Sequence, residues 1–245
     1  MSFTGATVVV PVINESDSLR RAFDCIRLHL GNGVAEVIVV VCNKTCAETW
    51  AICRSYEALF EGTLRMHRQR EQGLGMALRE AFLLAQSSHV MVVYADGEAD
   101  PATIPVLLEW ARRHPEGIIS ASRFSEPGLY ENPGNMKRLL NRLAQRVTAL
   151  AFGSDLTDFT FGYRIYPTKL VQQIQWQEFS HAFVYESMLR PLLLGIEILE
   201  VPSRWKLRSE GKSSWPLVGY WRYVWTLVKV RCSRQRGSGR ARKSL

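Results

Sequence analysis

The chain has 245 residues, 47% of them hydrophobic and 22% charged, which suits one folded body with a sizeable core and excludes a disordered or fibrous chain. No apolar run reaches the roughly 18–20 residues that span a bilayer, and no basic n-region precedes the first apolar run, so neither a spanning helix nor a signal peptide is expected. The five cysteines form no CxxC pair, which argues against a zinc cluster or a disulfide framework and for reduced thiols in the cytoplasm.

The first half alternates strand and helix patterns. Ala6–Ile13 is a β-branched run, and Leu19, Ala22, Phe23, Ile26 and Leu30 follow at helical spacing, with Gly31 at the helix end. Val37–Val41 reads as a buried strand, Ala47–Phe60 as helix and Leu64–His67 as a short strand. The turn at Gly73 and Gly75 opens a helix to about Ala85, and Val90–Ala95, Ile104–Arg113 and Gly117–Ala121 then read as strand, helix and strand. Continuous apolar strands separated by helices predict an α/β fold with a mostly parallel sheet covered on both faces.

The second half is less regular. A Pro/Gly loop spans Gly128–Gly134, and Lys137–Ala151 carries Leu139, Leu140, Leu143, Val147 and Leu150 on one side. Gly162–Tyr166, Tyr185–Leu194 and Ile196–Val201 read as strand, helix and strand. Near the end, Pro216 suits a helix N1 position, and Leu217, Trp221, Val224 and Val228 form a stripe with Trp225 beside it. Such a helix is either an interfacial anchor or a terminal helix packed on the core. Residues from Ser233 onward have a disorder-like composition.

Charge is uneven. The net is +8, but the residues from Arg204 onward hold twelve Lys/Arg and one acid, a net +11 that leaves −3 on the rest. A basic terminus on a mildly acidic body points to an anionic partner.

In doubly wound sheets, ligands bind where strands end at their carboxyl edge. The first strand ends in Pro11-Val12-Ile13-Asn14-Glu15, the second in Asn43-Lys44-Thr45, and the fourth in Tyr94-Ala95-Asp96-Gly97-Glu98-Ala99-Asp100. Acids crowded into one short turn repel unless a cation or donors neutralise them, and hard oxygens at this spacing suit Mg²⁺ or Mn²⁺ shared with a diphosphate. A solvated turn is the bland alternative. Gly73 and Gly75 either cradle phosphate at a helix N-terminus or permit a tight turn. Glu186 is either a cap or a site acid.

The order PVINE, VCNKTCAET, GLGMAL, YADGEADP, SASR, DFTFGYR, EVP and RSEGKSS resembles the family 2 glycosyltransferases, over about Ala6 to Ser214. Within that family it is most similar to the branch of dolichyl-phosphate mannose synthase and the bacterial polyprenyl-phosphate sugar transferases. The resemblance implies a GT-A fold at residues 1–214; residues 215–245 read, on their own pattern, as an amphipathic helix and basic tail, a candidate for contact with a membrane surface.

Carried over by position, Pro11, Ile13 and Glu15 would line the nucleotide pocket, and Asn43 stands where the family has a base-reading Asp. Gly73 and Ala95 would join the donor site. Asp96 and Glu98 match positions that hold a divalent ion on the diphosphate. Arg123 matches an arginine that contacts phosphate, and Arg138 lies in the acceptor-side segment. Asp158, Gly162 and Arg164 match the family's D-x-x-x-G-F-R stretch, and Arg208 and Lys212 a loop that closes over phosphate. Tyr94 takes the place of the first Asp of the family's DxD, and the family's DDGS carboxylates are missing.

The activity so implied is inverting, metal-dependent transfer from a UDP- or GDP-sugar to a polyprenyl phosphate, at the inner face of a membrane and without a nucleic-acid partner. A hydroxyl acceptor would require a base, for which Asp158 is the candidate; its bland role is to hold Arg164 or a backbone turn. A non-catalytic relative that uses its basic tail on RNA or acidic lipid is the rival from another class.

Overall fold

The structure is a computed structural model that describes residues 2–131, 134–207 and 219–241. Seven strands form one sheet: β1 Ala6–Pro11, β2 Val34–Val41, β3 Leu64–Arg68, β4 His89–Val92, β5 Ile118–Ser122, β6 Arg164–Pro167 and β7 Ile198–Pro202. Eight helices accompany them: α1 Asp17–Arg27, α2 Ala47–Glu57, α3 Leu74–Leu84, α4 Thr103–Arg113, α5 Asn135–Phe152, α6 Thr168–Gln173, α7 Ala182–Leu193 and α8 Gly219–Ala241. The sheet order is β3-β2-β1-β4-β6-β5-β7.

The valine and isoleucine runs do not alternate with polar residues because both sheet faces are covered. On one face, Val8, Val10, Val37 and Val39 meet Phe23 of α1, Ile52 of α2 and Leu107 of α4. On the other, Val9, Ile38 and Val40 meet Leu78 and Phe82 of α3, Val171 of α6 and Phe183 of α7. Helix α1 shows the reason at residue level: its buried Leu19, Ala22, Phe23 and Ile26 recur at helical spacing.

All pairs are parallel except those of β6, which runs antiparallel to both β4 and β5. Arg164 at its start lies opposite Val92 at the end of β4. The residues leading into β6 are thereby delivered to the edge where the parallel strands end.

Two elements depart from the sequence reading. Helix α6 has only six residues, too few for a helical period to show. Helix α8 continues to Ala241, beyond Ser233, where a disorder-like tail was expected. Its inner face packs on the body: Val230 is buried, Tyr223 and Leu227 join the cluster of Tyr185, Met188 and Leu189 on α7, and the Tyr223 and Tyr185 rings are 5.3 Å apart. Its outer face leaves Trp221, Val224, Trp225 and Val228 exposed. Packing on the core is thus the reading of this helix that the structure shows. Among the described residues, no helix is long and apolar enough to cross a membrane.

Gly162 shows how tightly the loop before β6 sits on the sheet. A Cβ there would lie 2.4 Å from the Tyr94 hydroxyl and 2.7 Å from its Cε2. Gly162→Ala is therefore expected to destabilise the protein by about 1–3 kcal/mol through overpacking. Because the Tyr94 hydroxyl is buried without a hydrogen-bond partner, Tyr94→Phe should be close to neutral by itself and recover part of that loss in the double variant. Denaturant unfolding of the three variants checks this, and additive losses would contradict it.

Candidate active site

The chain ends of β1 and β2 are tied together. The Cys46 N–H donates to the Ile13 carbonyl at 2.8 Å, and the Thr45 hydroxyl to the Val12 carbonyl at 3.0 Å. Glu15 folds back on its own loop, its Oε2 accepting the Ile13 and Asn14 N–H groups at 2.6 and 2.9 Å. Ile13 and Asn43 are exposed and Pro11 is half-buried, so Pro11, Ile13, Glu15 and Asn43 share one rim.

The acidic turn lies beside that rim. A Cβ at Gly97 would come within 3.2 Å of Ser18 at the start of α1. Asp96 Oδ1 accepts the Glu98 N–H at 3.0 Å, and Glu98 Oε2 accepts the Trp205 indole N–H at 3.0 Å. Backbone bonds from Lys206 N–H to the Glu98 carbonyl and from Asp100 N–H to the Arg204 carbonyl fix the turn against residues 204–206. Ala95, just ahead of the turn, is buried.

From Trp205 the contacts run on to Arg123. The rings of Trp205 and Tyr130 are 4.7 Å apart, and the Arg123 guanidinium sits 5.2 Å from the Tyr130 ring and 5.0 Å from that of Phe161. Arg123 makes a fork with Asp158, Nε to Oδ2 at 2.7 Å and Nη2 to Oδ1 at 2.8 Å.

Asp158 is fully buried and also accepts N–H groups from Arg123, Thr160 and Phe161. Burial works to raise its pKa, but the Arg123 charge and these donors outweigh it and hold the carboxyl below its ordinary range. Of the two roles open to Asp158, the structure shows the holding one, although its partner is Arg123 rather than Arg164. Arg164 is itself buried and donates to Ser120, Ser187 and the carbonyls of Val184 and Phe159.

Several members of the site were given no role by the sequence. Glu200 on β7 accepts the N–H groups of Thr157 and Asp158 at 2.8 Å each, and burial pushes its pKa up. Gln145 of α5 donates to the Thr160 hydroxyl and accepts the Phe159 N–H, each at 2.8 Å. Glu200 stands in the EVP motif and Gln145 in the amphipathic segment, but the partners of these two, like those of Tyr130 and Trp205, are set by the tertiary fold.

Other expectations resolve differently. Gly73 and Gly75 meet the Phe179 backbone: a Cβ on Gly73 would lie 2.3 Å from its carbonyl oxygen, and one on Gly75 2.6 Å from its carbonyl carbon. The Met76 N–H donates to that same carbonyl at 3.3 Å. Close packing therefore accounts for this glycine pair. Glu186 does not cap a helix: it lies buried within α7, accepts the Gln177 and Glu178 N–H groups of the preceding loop and pairs with Arg190. Arg138 donates to the Tyr130 carbonyl at 3.1 Å. Arg208 and Lys212 lie outside the described residues.

The family model for "Glycosyl transferase family 2" matches residues 7–175, the stretch that holds the rim, the acidic turn and the Arg123–Asp158 pair. The chain belongs to glycosyl transferase family 2. Curated relatives of this family 2 glycosyltransferase include a dolichol-phosphate mannosyltransferase of Pyrococcus furiosus, 25% identical over 91% of the chain. The chain spans 63% of that protein's length. An undecaprenyl-phosphate mannosyltransferase of Micrococcus luteus is 28% identical over 84% of the chain and 85% of its own length. A dolichyl-phosphate hexose transferase of Haloferax volcanii is 25% identical over 96% of the chain and 97% of its own length.

Among solved structures, glucosyl-3-phosphoglycerate synthase from Mycobacterium tuberculosis, in complex with Mn²⁺, UDP and phosphoglyceric acid, matches with a TM-score of 0.67 at 15% identity. That match covers 94% of this chain and 78% of the other, and it bears out the expected GT-A fold.

The acidic turn suits a divalent ion by donor chemistry. Asp96 and Glu98 offer hard carboxylate oxygens, and the Trp205 indole orients the Glu98 side chain. No cluster of three candidate protein ligands occurs among the described residues. Mg²⁺ and Mn²⁺ sites of this kind complete their shell with substrate phosphate oxygens and water.

Proposed function

We propose that this family 2 glycosyltransferase carries out inverting transfer of a sugar from a UDP- or GDP-sugar to a polyprenyl phosphate. It works peripherally at the cytoplasmic face of a membrane, and the basic C-terminal segment is drawn to the anionic lipid surface. The curated relatives named above act on dolichol, undecaprenyl and dolichyl phosphates, which supports the acceptor class. The observation that carries the reading is the continuous line of contacts from the acidic turn through Trp205 and Tyr130 to Arg123.

In this reading, Pro11, Ile13, Glu15 and Asn43 hold the nucleoside and Asp96 and Glu98 hold Mg²⁺ or Mn²⁺ against the donor diphosphate. The bound ion would neutralise charge that develops on the departing nucleoside diphosphate. Arg123 commits Nε and Nη2 to Asp158 and Thr160, which leaves Nη1 for a phosphate oxygen, and Arg208 and Lys212 add further cations. A lipid phosphate is already an anionic nucleophile near neutral pH, so the reaction needs no strong base. That agrees with an Asp158 whose carboxylate is occupied by donors.

Thermal unfolding with UDP or GDP, with and without Mn²⁺, tests the donor half. One nucleotide with Mn²⁺ at about 100 times its Kd should raise Tm by roughly 5–10 °C, more than nucleotide or metal alone. Transfer of labelled sugar into an organic-extractable product should need the polyprenyl phosphate and fail with the free polyprenol. Product formed on the free alcohol would reject the phosphate acceptor.

A further inference from the structure

Helix α5 is amphipathic in the reverse sense for a helix packed on a soluble body. Four polar side chains line its inner side, where Arg138 and Asn141 bond to Tyr130, Gln145 to the 158–160 turn, and Thr148 to the Tyr185 hydroxyl, while Arg142 and Arg146 are exposed. Its apolar residues Met136, Leu139, Leu140, Leu143, Val147 and Leu150 all lie 52–84% exposed. They recur at i, i+3, i+4, i+7, i+11 and i+14, a single stripe along the helix. Exposed apolar area of this extent and continuity marks a surface that meets an apolar partner.

Charge selects that partner. Helix α5 contains Lys137, Arg138, Arg142 and Arg146 and no acid. Helix α8, tied to the end of α5 by the Arg231 Nε bond to the Ala151 carbonyl at 2.9 Å, also has no acid and carries the exposed Trp221 and Trp225. A second copy of the chain would set this cationic face against its own kind. Apolar residues flanked by Lys, Arg and Trp match the acyl boundary and headgroups of an anionic bilayer.

We infer that the outer stripe of α5 is a membrane-docking surface that inserts its leucines into an anionic lipid leaflet while its inner side holds the Asp158 turn. The inference deepens the proposed function by naming the face through which the lipid-borne acceptor is met, and it rests on that reading only for the identity of the acceptor.

Vesicle flotation of the full chain tests it, with phosphatidylcholine alone and with a minority of phosphatidylglycerol. The protein should float with the anionic vesicles and much less with the neutral ones. Leu143→Gln with Leu150→Gln should lower partitioning by about tenfold or more. The paired control Leu28→Gln with Leu83→Gln, at two leucines exposed elsewhere, should float like the parent, and unchanged Tm in both pairs confirms folding. Four results would each overturn the inference: no flotation of the parent, equal capture by neutral vesicles, a Leu143/Leu150 variant that floats as the parent does, or a lipid-free dimer that these two substitutions dissociate. A nucleotide-induced rise in Tm without flotation would leave the transferase reading standing and sink this one. Flotation with no response to any nucleotide would do the reverse.

Discussion

Arg123→Ala is expected to lower the unfolding free energy by about 3–5 kcal/mol, because it strands a fully buried carboxylate without its counter-charge. Asp158 makes its fork only with Arg123, and the side chains are 0% and 11% exposed. Asp158→Ala should cost about as much by stranding the guanidinium, and the double variant should lose clearly less than the two single losses combined. Denaturant titration of the four proteins reads this directly, and full additivity would show that the pair is not coupled.

The same pair sets a pH dependence. The folded-state pKa of Asp158 lies below its ordinary value of 3.8, so its stabilisation is fully present above that value. It is lost as pH falls through the depressed folded value. Asp158→Asn should start from lower stability at neutral pH and lose less of it on acidification below about pH 4.

Asp96→Asn should act on turnover instead. The side chain is only part-buried, so Tm without ligand should hardly move. The transfer rate with Mn²⁺ should fall by about two to three orders of magnitude, the size of loss seen when one group that stabilises developing charge is removed. Glu98→Gln should give a smaller loss, since the amide retains an oxygen that can accept from the Trp205 indole. Initial rates at saturating donor, with a manganese titration for each variant, separate lost metal affinity from lost chemistry. Wild-type rates for Asp96→Asn would remove the acidic turn from the mechanism.

The proposed donor half of this molecule is legible in the sequence because each of its parts is local. The strands of residues 6–11, 34–41 and 89–92 contain the apolar runs Val8–Val10, Val37–Val41 and Val90–Val92, and the rim residues and the acidic turn follow them closely in the chain. The proposed acceptor half is built from distant pieces. Asp158 is readable as a site position, but its partner is not, since Arg123 lies 35 residues away and joins it only through the fold. Trp205 and Glu200 are further in the chain from the groups they hold, and although Glu200 stands in a readable strand and motif, its partners do not follow from either. The stripe on α5 illustrates a different limit. Helical spacing shows that Leu139, Leu143 and Leu150 share a side, but the usual inference that leucines face inward fails here because Gln145 and Thr148 take the inner position.

The reversed strand β6 also has a consequence for synthesis. It sits between β4 and β5, two strands that emerge from the ribosome well before it. Until residues 164–167 emerge, β4 has a bare edge and β5 has no partner on that side. The nascent first half is consequently a four-strand layer with an open flank at β4 in addition to its native β3 edge, an invitation to pair with another chain. Closing that flank waits on one four-residue strand. Lesions in the approach to β6, Gly162 foremost, should accordingly show up as aggregated product during expression as well as lowered stability in the purified protein.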